Sequence, residues 1–199
     1  MLRTSPKRGL GRRVTTATIP VLLAVGGGNA IAQTPDDVPS RVAATNPIFL
    51  KVDGVQGESS DAQHPGEIDV KSFHIKAINT PGTAGGGGSA GKVAFSQAEF
   101  TKSYDKSSPQ LLQKVANGAH IKTVSFTFRR AGGAGENFLV YKLDDVLVSS
   151  YEQGGDTGVS PLLEHVGLTF SKIVATYTPV AGPPLVTAGW DVKLNAPAS

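Results

Sequence analysis

Within this 199-residue chain the run that comes nearest to a chemical motif is Gly86, Gly87, Gly88, Ser89, Ala90, Gly91 and Lys92. It nearly spells a phosphate-binding loop, and it also contains a dinucleotide-type glycine spacing and the Gly-x-Ser-x-Gly of a hydrolase elbow. Its context fails all three. A P-loop needs Ser or Thr after the lysine to hold magnesium, and Val93 stands there. All three also need a helix to follow, whereas Lys92 to Gln97 reads as a strand. A run of glycines produces many spacings by accident.

The remaining candidates are weaker. His64, His74, His120 and His165 are scattered, with no close pair at metal-ligand spacing and no HExxH pattern, so no metal is expected. His165 follows Glu164 in a strand and is expected to be exposed. Asp144 and Asp145 are neighbours in a strand and should point to opposite faces, which defeats cooperation between them. Glu58 and Asp61 fall in a turn, where acids commonly accept backbone hydrogen bonds. Cysteine is absent, which excludes disulfides, thiolate metal sites and cysteine nucleophiles. The expectation is a protein without catalytic residues or cofactor, and not an enzyme.

The elements that must position these residues are mostly strands. Apolar residues make up 39% and charged residues 18%, with 24 glycines, a balance that fits a β-rich domain with many turns. Strands are expected over 47–53, 67–78, 92–104 in two pieces, 120–130, 137–151, 164–178 and 186–194. Val124, Phe126 and Phe128 share one face and Thr123, Ser125 and Thr127 the other; Val166, Leu168 and Phe170 repeat the pattern. One helix interrupts them. Ser107, Ser108 and Pro109 supply a cap and a first-turn proline, Leu111, Leu112, Val115 and Ala116 recur at helical spacing, and Gly118 offers a left-handed stop. The fold class is therefore all-β with one helix, a sandwich or barrel.

The charge is unevenly placed. The net charge is +3, yet residues 1–32 hold Arg3, Lys7, Arg8, Arg12 and Arg13 and no acid, so the remainder has 14 bases, 16 acids and a formal charge of −2. No basic stripe survives to bind nucleic acid. The basic start, the uncharged Val14 to Ile31 stretch and the small residues Ala30 and Ala32 predict a signal peptide over 1–32 with cleavage after Ala32, hence a secreted protein, periplasmic or extracellular. Pro20 and Gly26 to Gly28 spoil that stretch as a membrane span, so no stable membrane insertion is expected. The Arg pair also resembles a twin-arginine signal, although Thr15 and Thr16 follow it. Residues 33–46 read as a flexible linker and 47–195 as one domain.

Several segments, in order, resemble the Hcp family of type VI secretion tube proteins. They are Lys51 to Ser59 with its Gly57-Glu58-Ser59 turn, Glu67 to Val70, the glycine-rich Gly85 to Val93, and Phe100-Thr101-Lys102 with Asp105 to Pro109. Arg130 to Gly133, Val146 to Ser150, Leu168 to Phe170, Tyr177 and Gly189-Trp190-Asp191 complete the set.

The resemblance implies a β-barrel of two antiparallel sheets with one flanking helix, assembling as hexameric rings that stack into a tube, with spike and sheath proteins and secreted effectors as partners. It makes Gly85, Gly86, Gly87, Gly88, Ser89 and Gly91 an arm that contacts neighbouring subunits, and gives His120 a structural hydrogen bond. It turns position 74 toward the ring lumen, with Ser72 and His74 as candidate effector contacts. Two readings of His74 stay open, a solvated strand residue or a cargo contact. Tubes of this kind assemble in the cytoplasm, so the leader raises an alternative: an exported Hcp-like protein acting outside the machine as a binding module or effector.

Overall fold

The computed structural model describes residues 46–79, 91–132, 135–155, 157–158, 162–180, 182 and 184–198. Among them run β1 (Ile48–Val52), β2 (Ile68–His74), β3 (Ala77–Asn79), β4 (Val93–Phe95), β5 (Ala98–Ser103), α1 (Ser108–Asn117), β6 (Ile121–Arg129), β7 (Asn137–Gly154), β8 (Leu163–Tyr177), β9 (Val186–Asp191) and β10 (Ala196–Ala198). The expected strand over 67–78 is two strands, broken at Ile75 and Lys76, and β10 has no counterpart in the sequence reading.

The strands lie in the order β10-β9-β8-β5-β2-β1-β6-β7, and β7 pairs back onto β8, closing a six-stranded antiparallel barrel. The two long strands make the closure possible. Residues 163–168 of β8 pair with β5 and residues 172–177 with β9, while β7 follows β8 from Leu139↔Tyr177 to Gly154↔Leu163. A separate hairpin, β3 with β4, stands beside the barrel.

Alternation fills the barrel. Leu50, Ile68, Val124, Phe126, Leu143 and Val146 are fully buried, and Phe73 and Phe100 pack their rings on Phe126 at 4.4 and 5.6 Å. Each such side chain contributes about 1.5–3 kcal/mol of burial.

The helix has the expected length and its left-handed stop, Gly118 at φ 62°. Its start differs from expectation. Ser107 makes no side-chain cap; its hydroxyl donates to Asp105, while Ser108 turns inward. Leu111 is buried and Val115 packs on the core, but Leu112 is half exposed, so the apolar stripe is narrower than its spacing implied.

The Gly57-Glu58-Ser59 turn has a steric reason. A Cβ on Gly57 would lie 2.2 Å from the carbonyl oxygen of Glu67, so only glycine lets the two segments touch. Around it the backbone bonds Gly57 N–H to Gly66 O (2.8 Å) and Ser59 N–H to Glu67 O (2.9 Å). The Glu58 carboxylate accepts from Lys106 N–H at 3.1 Å, tying this turn to the approach to α1.

Candidate functional site: two faces of one sheet

The wall β2-β5-β8-β7 carries the candidate site. Its registers place Ser72, Thr101, His165 and Glu152 in one row across the four strands, and His74, Glu99, Gly167 and Ser150 in the next. Ser72, His74, Glu99, Ser150, Glu152 and His165 are exposed, and together the two rows line a shallow concavity. Ser72 and His74 thus do lie side by side on one solvent-facing surface. Thr101 Oγ1 and His165 Nδ1 are 3.1 Å apart, which holds the imidazole upright and leaves its other nitrogen toward solvent. The side chains of Glu99, Glu152 and His74 form no hydrogen bond or ion pair with any described residue.

The opposite side of the same strands holds a group that the sequence reading missed. Lys102 and Glu164 are register partners on β5 and β8 and both are fully buried. The Lys102 ammonium donates to Glu164 Oε2 (2.6 Å), Ser108 Oγ (2.8 Å), Asp105 Oδ1 (2.9 Å) and the Ser103 carbonyl (2.9 Å). Ser108 Oγ also donates to Glu164 Oε2 at 2.8 Å, and the Tyr151 hydroxyl donates to the other carboxylate oxygen. Burial, and next the Glu164 carboxylate, push the Tyr151 phenol well above its usual range, so it stays protonated as a donor. The network joins the start of α1 to β5, β7 and β8. Its signal was present: Lys102 falls in phase with Ala98 and Phe100, and Glu164 in phase with Val166 and Leu168, so each stands at an inward position.

The other polar groups make structural contacts. His64 is buried, stacked on Phe49 at 4.3 Å between centroids, with Nδ1 2.9 Å from Glu67 and Nε2 3.2 Å from Asn137. Asp61 accepts from Gln63 N–H at 2.9 Å and pairs with Arg129 at 2.6 Å; the backbone bond first, then the guanidinium, hold its carboxyl below the usual range.

His120 makes the expected structural bond, Nδ1 to Asp145 Oδ1 at 2.7 Å. Lys193 and Ser171 each donate to Asp145 Oδ2 at 2.6 Å. Asp145 takes a positive φ of 52°, which resets the inward phase from Leu143 to Val146, so the opposite-face argument for Asp144 and Asp145 does not hold there. Asp144 instead accepts from Thr123 and pairs with Lys142. Among the described residues no group of three His, Cys, Asp or Glu side chains is placed to hold a metal ion.

Gly85 to Gly88 and Ser89 lie outside the described residues. Gly91 is described, at the foot of β4 beside Asn79, Val93, Phe95, Trp190 and Asn195. After Lys92 the chain enters β4 directly, so the helix N-terminus required by a phosphate loop is absent there.

A six-stranded barrel with one flanking helix, two long strands and a separate pair of short strands defines a narrow class of proteins, and comparison with known ones agrees. Residues 49–177 match the family described as type VI secretion system effector, Hcp. The chain is 37% identical over 160 residues to protein hcp1 of Pseudomonas aeruginosa, covering 76% of this chain and 98% of that protein. Among solved structures, Hcp1 from Salmonella typhimurium is 30% identical, with a TM-score of 0.64 over 77% of this chain and 99% of that one. A type six secretion system protein gives a TM-score of 0.72 at 26% identity, over 77% and 100% of the two chains. The chain belongs to the Hcp family of type VI secretion tube proteins.

Proposed function

We propose that this chain forms hexameric rings that stack into a type VI secretion tube, with the β2-β5-β8-β7 face lining the lumen and meeting effectors through Ser72 and His74. The observation that carries the reading is a pair of open edges on one wall. Residues 72–74 of β2 pair only with β5, and residues 147–148 and 150–154 of β7 only with β8, so among the described residues both flanks of the wall lack a strand partner. Unpaired strand edges are templates for another chain. Two different edges, one on each side, make a head-to-tail contact, and such contacts close into rings when the rotation per subunit allows.

The glycines Gly85 to Gly88 and Gly91, with Ser89, form the arm that packs on a neighbour, glycine permitting close backbone approach. Spike and sheath proteins are the further partners. Native mass spectrometry and electron microscopy of the purified chain should show six-membered rings, lost when residues 85–90 are deleted. A strictly monomeric protein at high concentration refutes the ring.

The basic start of the chain favours a second reading, export through the leader 1–32 and action outside the machine. No helix among the described residues is long and apolar enough to cross a membrane. N-terminal mass spectrometry of the secreted protein separates the routes. A start at Gln33 supports leader-directed export; an intact Arg3 to Arg13 segment, with secretion lost when the contractile machine is disabled, supports delivery by the machine.

A further inference from the structure

We infer that the outer face of β2-β5-β8-β7 takes a cationic polypeptide surface, with Glu99 and Glu152 as its anionic contacts and Ser72, His74, Thr101 and His165 as the polar groups around them. The inference rests on the lumen reading above and names the chemistry of what that surface meets.

Three observations support it. Among the described residues the concavity is lined by two carboxylates and two imidazoles and by neither lysine nor arginine. The nearest lysine in sequence on β5, Lys102, points the other way and is saturated by Glu164, Asp105, Ser108 and a backbone carbonyl, so it lends the face no accessible charge. Among the described residues the Glu99 and Glu152 side chains have no partner, whereas Asp61 has Arg129, Asp144 has Lys142, and Asp145 has Lys193 and His120; Asp53, Asp69 and Glu136 also lack one but stand outside this concavity.

An unpaired carboxylate on a concave polar wall attracts lysine or arginine and repels phosphate. Cross-strand placement adds definition. Glu99 is opposite His74, and Glu152 is opposite His165, so each carboxylate is flanked by an imidazole that can hydrogen-bond to the same partner. In a closed ring the motif recurs once per subunit, and weak single contacts combine by multivalency.

The test uses the full chain, with fluorescein-labelled hexalysine as probe and hexaglutamate and an oligothymidine as controls, at pH 8 and low salt. Hexalysine should bind, weaken as salt rises, and lose about tenfold in affinity in Glu99→Gln/Glu152→Gln, the loss of two ion contacts. Glu99→Lys/Glu152→Lys should transfer binding to hexaglutamate. Asp53→Asn/Glu136→Gln, which removes two exposed acids off this face, should leave hexalysine binding unchanged.

Equal affinity in the wild type and Glu99→Gln/Glu152→Gln overturns the inference, as does an equal loss in the Asp53/Glu136 control or preferential binding of oligothymidine. Sedimentation of the same samples reads the assembly separately. Monomers that bind hexalysine through Glu99 and Glu152 refute the ring and keep the cationic partner; rings indifferent to the double substitution do the reverse.

Discussion

Strands β5 and β8 carry charged residues on both faces, and the two faces treat them in opposite ways. Inward, Lys102 and Glu164 have no solvent access and every polar atom between them is engaged. Outward, His165, next to Glu164 on β8, makes a single side-chain bond to Thr101, and the Glu99 side chain, three residues from Lys102 on β5, makes none with any described residue. Desolvation explains the difference. A buried charge is tolerated only when paired and hydrogen-bonded, whereas water satisfies an exposed one and leaves it available to a ligand. Charge inside this wall therefore marks architecture, and charge outside it stays available to a ligand.

The comparison can be broken most forcefully from the inside. Glu164→Ala should leave the buried Lys102 ammonium with Asp105 as its one carboxylate partner and cost about 3 kcal/mol in urea unfolding. Lys102→Met/Glu164→Leu should recover part of that loss, because it is the under-compensated buried charge that is expensive. A cost below about 1 kcal/mol for Glu164→Ala would mean the buried face is no more demanding than the exposed one. Tyr151→Phe should have a smaller effect, about 1–2 kcal/mol, since it removes one donor to a carboxylate that keeps Lys102 and Ser108.

Asp145 is an intermediate case, an exposed acid that does have partners. Lys193 first, then Ser171 and His120, hold its carboxyl far below the ordinary aspartate value of 3.8. A carboxyl depressed in the folded state stabilises the fold above its unfolded value and loses that contribution as pH falls toward the folded one. Asp145→Asn should thus lower the neutral-pH midpoint slightly, by the contribution it removes, and flatten the fall of thermal stability below about pH 4, so that the two proteins converge in acid. An identical acid limb in the wild type and the variant would place Asp145 with the unpartnered outer acids.

The two faces were also unequally legible in sequence. Alternation at Val124, Phe126, Val166 and Leu168 revealed the barrel wall, and Gly118 and Pro109 marked the helix, because these signals are local. The collinear segments resembling Hcp gave the topology that local signals could not. The buried pair was visible in phase yet unread, because a charged residue in an alternating strand is ordinarily assigned to solvent and its partner lies 62 residues away. The Ser107 cap failed for a related reason: Asp105 and Ser108 compete for the same groups once Lys102 and Glu164 are near. Asp145 broke the strand period through a positive φ that its residue type alone does not announce. Ser72 and His74 were found together, but Glu99, Glu152 and His165 join them only through strand registers.

The finest test of the comparison is a change expected to do nothing to the fold. Glu99→Gln/Glu152→Gln replaces two exposed carboxylates that have no partner among the described residues, so urea unfolding should move by no more than about 0.5 kcal/mol. Glutamine keeps the length and packing of glutamate, which leaves charge as the main variable. A destabilisation above about 1 kcal/mol would show that the outer acids support the wall as the inner pair does. Neutral stability together with lost hexalysine binding would separate the faces fully, because a group that can be neutralised without harm to the fold, and not without harm to binding, is held for its partner.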